Sequence, residues 1–315
     1  VSAKSQHSFA CFGGTVSVHV LGVDSAKVES DADRARADLL DAHDRLTRFS
    51  PDSELSRLNR DPREEVPASP LLRRLAVAVA MAGRYSDGLV DATLLDQLER
   101  AGYRESLAPG GREPPPRFAV QPRPSLPARP HPDARWRSIR VDENAGTVVR
   151  PPGVRIDSGG LAKGLLADLV GESLSSHLAY AVDCCGDVRV GGRARRERRV
   201  LVDDPSGGSP IHEFRLAAGA VATSGIGRRS WAGDGGEAAH HLLDPSTGRP
   251  AFTGLIQVTA LAPTALLAEV FAKSALLSGP GAAGRWLPHG GVVVGEDGGV
   301  DILTGPRSLM IARVA

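Results

Sequence analysis

A chain of 315 residues with 38 Lys+Arg against 37 Asp+Glu has a formal net charge of +1, so no global field points to nucleic acid or an acidic membrane. Its length suffices for a full hydrophobic core. The three cysteines (Cys11, Cys184, Cys185) form neither a disulfide framework nor a metal spacing, and no apolar run reaches the ~20 residues that span a bilayer.

Alternation in Thr15-Val16-Ser17-Val18-His19-Val20, after a Gly13-Gly14 bend, predicts a strand over residues 9–21. Residues 30–49 read as a helix, with Asp31 and Asp33 suited to its N-terminal dipole and Ala35, Leu39, Leu40, His43 and Leu46 near one face. A second helix is expected over 69–85, with Ser69 as N-cap before Pro70, and Ser86-Asp87-Gly88 then turns the chain. Residues 108–133, rich in Pro, Gly and Arg, read as a mobile surface excursion from a single domain spanning 1–315. Strands are expected at 139–141 and 147–149, then a helix from about Gly160 that sends Leu165, Leu166, Leu169 and Val170 to the core. Further strands fall at 179–182, 188–190, 200–202 and 220–223, and a last helix at 264–277 ends at Gly279. The basic run at 193–199 reads as a solvated hairpin loop. Strands interleaved with a few helices and many short turns predict an α+β fold, with mixed or antiparallel sheets.

Four segments carry chemistry. Asp157-Ser158-Gly159-Gly160-Leu161-Ala162-Lys163-Gly164 reads as a strand end, a glycine turn and a helix start, where backbone N–H groups and Lys163 suit a phosphate or pyrophosphate. The spacing matches neither a Walker loop nor G-x-G-x-x-G. Ala222-Thr223-Ser224-Gly225 delivers two hydroxyls from a strand into a turn. Glu269 and Lys273 stand at i and i+4 on the last helix among apolar neighbours, which leaves a surface pair and a buried pair both open. In Ala239-His240-His241-Leu242-Leu243-Asp244-Pro245-Ser246-Thr247-Gly248, His241 falls where a strand meets a loop.

In order along the chain, these segments resemble the motifs of the FAD:protein FMN transferase (ApbE-type) family. Phe12-Gly13-Gly14 is similar to its opening Met-Gly-Thr, Pro51 through Asn59 to "pDSElSrlN", and Gly88 through Thr93 to "GxxDxT". Asp157 through Gly164 resembles "DLGxIAKG", Asp183 through Asp187 "NLGGD", Ala222 through Gly225 "ATSG", and His241 through Gly248 "HIiDPxTG". The resemblance implies an ApbE-like fold and a flavoprotein transferase. FAD would be cut at its pyrophosphate and FMN passed to a Ser or Thr hydroxyl of a client protein, with AMP leaving. It implies His241 as the base, a role that suits an imidazole near neutral pH. It also implies FAD contacts from Phe12, Phe49, Val90, Asp91, Asp157, Lys163 and Leu242, with Thr223 and Ser224 as further phosphate partners. A flavin-binding protein without transfer, and an FAD pyrophosphatase, stay open as alternatives.

The family's magnesium position maps onto Gly160, Glu269 and Lys273, but an ammonium cannot ligate Mg²⁺. The expectation is that Lys273 takes part of the ion's electrostatic role or keeps it out. Phe49 stands where the family shows Tyr, Phe12 where it shows Met, and Cys185 replaces a loop glycine, which predicts a turn that avoids glycine-only dihedrals. The family often includes lipoproteins outside the cytoplasm; with no signal peptide or lipobox in these residues, a cytoplasmic or trimmed extracytoplasmic form is expected.

Overall fold

Val16, Val18 and Val20 turn one face of their strand inward, and that strand is the second in an eight-stranded sheet. In chain order the sheet comprises β1 (Ala3–Cys11), β2 (Gly14–Gly22), β3 (Ala179–Cys184), β4 (Asp187–Gly191), β5 (Gly219–Gly225), β6 (Leu255–Ala262), β7 (Gly291–Gly295) and β8 (Val300–Leu303). Each strand pairs antiparallel with the next in that same order, so the sheet is a meander with long insertions. The computed structural model describes residues 2–106, 125–233 and 237–306. Among the described residues six α-helices accompany the sheet: α1 (Ser25–Leu46), α2 (Glu54–Arg60), α3 (Pro70–Tyr85), α4 (Leu95–Arg100), α5 (Ala162–Ser173) and α6 (Ala265–Ser278). The architecture is the α+β arrangement expected from the interleaved pattern.

One sheet face packs against α1, α5 and α6 through Val16, Val18, Val182, Ala220 and Ala222. The opposite face, through Val188, Val190, Val221 and Leu261, is covered by a two-stranded ribbon (Arg198–Val202 with His212–Leu216) that contributes Val200, Val202, Phe214 and Leu216. A second core joins α2, α3 and a small three-stranded sheet (Glu65–Pro67, Arg140–Asp142, Thr147–Val149) to α5 and α6 through Leu161, Leu165, Leu266 and Val270. Helix α6 is apolar nearly all round, and a helix of that kind belongs in the interior. Among the described residues no helix is long and apolar enough to cross a membrane.

Several boundaries differ from expectation. The strand expected over 9–21 is a hairpin: Phe12 (φ 54°) and Gly13 (φ 72°) turn the chain between β1 and β2. Helix α1 starts at Ser25, not 30, because the Asp24 side chain accepts the Lys27 N–H and caps it earlier. Helix α3 starts as expected, with the Ser69 side chain accepting the Leu72 N–H at 3.2 Å. The basic run at 193–199 is exposed but is no hairpin loop: β4 pairs with β3 and β5, and the run leads away to the outer ribbon. Of the excursion expected over 108–133, residues 108–124 lie outside the described residues. The rest is tied down, with the Leu126 N–H donated to Phe252 O (3.0 Å) and the Ala128 N–H to Leu277 O (2.8 Å).

Candidate active site

The site starts from the way α5 meets α6. A Cβ on Gly164 would stand 2.7–2.8 Å from the backbone of Ala265 and Leu266, so only glycine lets the first turn of α5 press on the start of α6. The Asp168 carboxylate accepts the N–H groups of Ala265 (2.8 Å) and Leu266 (2.9 Å), which caps α6. In return Glu269 Oε2 accepts the Gly164 N–H at 3.1 Å, at the open N-terminus of α5.

Around this junction two ion pairs are buried together. Lys273 Nζ donates to Glu269 Oε1 at 2.7 Å, and Lys163 Nζ to Asp187 Oδ2 at 2.6 Å. Glu269 is 2% exposed and Lys273 8%, so the i, i+4 pair is an interior one. Burial pushes the Asp187 carboxyl up, opposed by Lys163 and Lys273. Burial also acts to raise Glu269, but Lys273, Lys163 and the Gly164 N–H outweigh it and hold that carboxyl below its usual range.

His241 sits at the bend between the short strands Ala238–His240 and Leu243–Asp244. Its Nδ1 lies 3.3 Å from the carbonyl oxygen of Arg229, which can only accept, so Nδ1 carries the proton and Nε2 keeps its lone pair. Burial, followed by the charges of Arg229, His240 and Lys273, pushes its pKa well below 6.5 and keeps the ring neutral near pH 7. Arg229 also donates to Phe12 O at 3.0 Å and adds positive potential at Lys163 and Cys185. Phe12, edge-on to His43 at 5.0 Å, is thereby linked to the histidine bend.

The glycine turn is held from outside the helix pair. The side-chain amide of Asn59 pairs with the Ile156 backbone like a strand neighbour: Nδ2 donates to Ile156 O and Oδ1 accepts its N–H, both at 2.8 Å. The Asp157 N–H donates to Ala92 O at 2.8 Å and the Ser158 hydroxyl to Leu46 O at 2.7 Å. The strand expected before this turn is absent, because Asn59 and Ala92 satisfy the backbone groups a ladder would have used. The Asp157 carboxylate pairs with Arg48 Nε at 3.2 Å. That guanidinium lies 4.2 Å from the Phe49 ring centre and 4.7 Å from that of Tyr103, which stacks on Trp231 at 5.4 Å. Phe49 keeps 37% of its surface exposed at the edge of this aromatic row.

The remaining expected contacts divide. Val90 is buried, its N–H donated to the Ser86 hydroxyl, and Asp91 Oδ1 accepts both the backbone N–H and the hydroxyl of Thr93. Leu242 is buried with its N–H on His240 Nδ1 and its carbonyl accepting the Ala251 N–H. Strand alternation puts Ser224 on the face shared with Ala222 and α6, and Thr223 on the other face with Val221, its hydroxyl 2.8 Å from that of Thr259. Thr223 therefore does not face the lysine–carboxylate cluster. Sequence reasoning missed Arg48, Arg229 and Asn59. Asn59 closes the "pDSElSrlN" motif, a signal in the sequence, whereas the two arginines sit among 38 Lys and Arg residues with nothing to single them out.

A model of the ApbE family matches residues 12–294. The chain belongs to the ApbE family. It is 31% identical over 180 residues to the FAD:protein FMN transferase of Treponema pallidum, covering 48% of this chain and spanning about half (49%) of that relative's length. It is 26% identical over 269 residues to the FAD:protein FMN transferase of Vibrio cholerae, covering 81% of this chain and 75% of the relative. The fold is shared with the apo form of Pseudomonas stutzeri flavinyl transferase ApbE, at a TM-score of 0.74 and 22% identity over 96% of this chain and 95% of the other.

Within this ApbE chain the residues that the resemblance assigns to magnesium do not fit the ion. Mg²⁺ takes oxygen donors in near-octahedral array at about 2.0–2.1 Å. Here Glu269 is the sole carboxylate of that set, one oxygen holding Lys273 Nζ and the other the Gly164 N–H. A Cβ on Gly160 would stand 3.4 Å from Lys273 Cε and 4.0 Å from Nζ, so the ammonium itself reaches the glycine turn. Among the described residues, the His, Cys, Asp and Glu side chains grouped closely enough for a metal are His7, Glu29 and Asp33, near the surface on β1 and α1. Cys185 adopts φ 59°, the left-handed region, with its thiol donating to Cys11 O at 3.4 Å. That conformation is uncommon for a residue with a Cβ but open to it.

Proposed function

We propose that this chain is an FAD:protein FMN transferase acting on a Ser or Thr hydroxyl of a client protein. The observation that carries the reading is His241, a neutral imidazole whose Nδ1–H is committed to the Arg229 carbonyl, which leaves Nε2 as acceptor on a ring that feels the positive charges of Arg229 and Lys273. In the reaction the client hydroxyl oxygen attacks the phosphorus that bears FMN, and its proton passes to His241 Nε2. The bond from that phosphorus to the bridging oxygen breaks, and AMP leaves with the bridging oxygen.

The chain's other groups have parts in that step. Each lysine ammonium has N–H donors beyond the one given to its carboxylate, and with Arg229 they offer positive charge to the pyrophosphate. The exposed Phe49 face, ahead of the Tyr103–Trp231 stack, suits one side of a flavin ring. Asp157, fixed by Arg48, sets the entry to the glycine turn.

The test is incubation of the purified protein with FAD and a client carrying a Ser/Thr acceptor segment, followed by intact-mass measurement. The expected result is a flavin-sized gain on the client and one AMP per event. Free FMN with AMP and no gain would make the protein a pyrophosphatase, and unchanged FAD would make it a carrier.

A further inference from the structure

The position that would hold a divalent cation in this site is filled by a side chain of the protein. We propose that this chain binds and cleaves FAD without a divalent cation, with the Lys273 ammonium as the built-in cation between Glu269 and the glycine turn. This rests on the flavin-transfer reading above and deepens it.

Three observations carry the inference. Glu269 is committed twice, to Lys273 Nζ and to the Gly164 N–H at the start of α5, so each of its oxygens already holds a donor and one of those donors is a cation. The charges already balance: Lys163 and Lys273 offset Asp187 and Glu269 inside one buried cluster. A dication added there would face two ammonium groups at low dielectric, where like charges repel strongly. Finally, the Lys273 ammonium is placed where the ion's charge would act: Cε and Nζ reach the Gly160 turn, and the same charge is felt at His241. Two N–H donors remain on it for phosphate oxygens, the donors a lysine supplies as a point charge.

The experiment has two independent arms. In the first, FAD affinity and FMN transfer are measured in EDTA and in excess Mg²⁺. Both are expected to agree within about twofold, and a tenfold or greater gain with Mg²⁺, about 1.4 kcal/mol, overturns the proposal. In the second, Mn²⁺ is titrated without nucleotide and followed by electron paramagnetic resonance, in a His7→Ala background that removes the His7–Glu29–Asp33 trio. No bound Mn²⁺ is expected, and a tightly bound ion overturns the proposal without requiring any site variant to fold. Adding Lys273→Thr replaces the ammonium with a hydroxyl and releases one Glu269 oxygen, so that protein is expected to gain one Mn²⁺. If it folds by circular dichroism yet stays Mn²⁺-free, Lys273 is not the group that holds the cation position. Absence of FAD binding in every condition would refute the flavin reading instead, while the Mn²⁺ arm still decides the metal question.

Discussion

Asp168 and Glu269 cap each other's helices: the carboxylate on α5 takes the first N–H groups of α6, and the carboxylate on α6 takes an N–H from the first turn of α5. The exchange locks two helix N-termini into one unit, and Lys163 and Lys273 project from it. The lysine positions are therefore set by helix docking more than by their own flexible stems. Removing Asp168 leaves two buried donors without an acceptor and strips Arg189 of its carboxylate, leaving it the carbonyls of Val190 and Gly219.

Asp168→Ala is accordingly expected to cost about 2–4 kcal/mol, since each buried donor left unsatisfied costs ~1–3 kcal/mol. Urea denaturation would show it as a lower midpoint at unchanged slope. Asp168→Asn keeps one acceptor oxygen and is expected to lose about half as much. A loss under about 0.5 kcal/mol for the alanine variant would mean that water replaces the cap.

Gly164→Ala tests the same junction by steric means. The added methyl would sit 2.7–2.8 Å from backbone atoms of Ala265 and Leu266, and backbone cannot swing aside as a side chain does. Overpacking of this kind costs about 1–3 kcal/mol, and here it also parts the Gly164 N–H from Glu269. Stability and FAD affinity are expected to fall together. A variant of full stability would show that α5 slides freely along α6.

For His241 the prediction concerns pH. Burial, then the charges of Arg229, His240 and Lys273, hold the folded-state pKa well below 6.5, so the neutral base already dominates at pH 6.5. The profile of kcat/KM for FAD is expected to stay flat from pH 8 through 6.5 and to fall only on further acidification. Linkage has the same sign: the unfolded chain takes up this proton first, so stability is full above pH 6.5 and is lost as pH falls toward the folded value. His241→Ala is expected to slow transfer by about 10²–10⁴-fold, the range of a general base. An acid limb at 6.5 that vanishes in His241→Ala would show an unshifted histidine.

The reach of the sequence can be judged from particular residues. Helix α3 was legible because Ser69-Pro70 is a local cap signal that nothing distant opposes. The start of α1 was misplaced because two acidic residues inside the helix imitated a first turn while the real cap, Asp24, sat upstream. Motif order located His241, the glycine turn, Glu269 and Lys273. Burial of the last two depended on α6 running through the centre of the fold, which no local pattern encodes. The same gap hid Arg48, whose partners Asp157 and Tyr103 come from distant parts of the chain.

Asn59 supplies the sharpest test of how the glycine turn is held. Its amide meets both backbone groups of Ile156 at 2.8 Å, one residue before Asp157 and four before Gly160. Asn59→Asp keeps the size but replaces the Nδ2 donor with an oxygen facing the Ile156 carbonyl, so attraction becomes repulsion. Loss of one bond and exposure of a carbonyl to a carboxylate are expected to cost about 1–3 kcal/mol of stability. The sharper readout is kinetic. A loosened turn weakens FAD binding while leaving His241 in place on its own bend, so KM is expected to rise about tenfold, or 1.4 kcal/mol, with kcat changed less than threefold. Asn59→Gln has the right groups on a stem one methylene too long, and is expected to resemble Asn59→Asp in KM but not in stability. If kcat falls with KM unchanged, Asn59 acts on the reacting atoms through His241 and not through the turn.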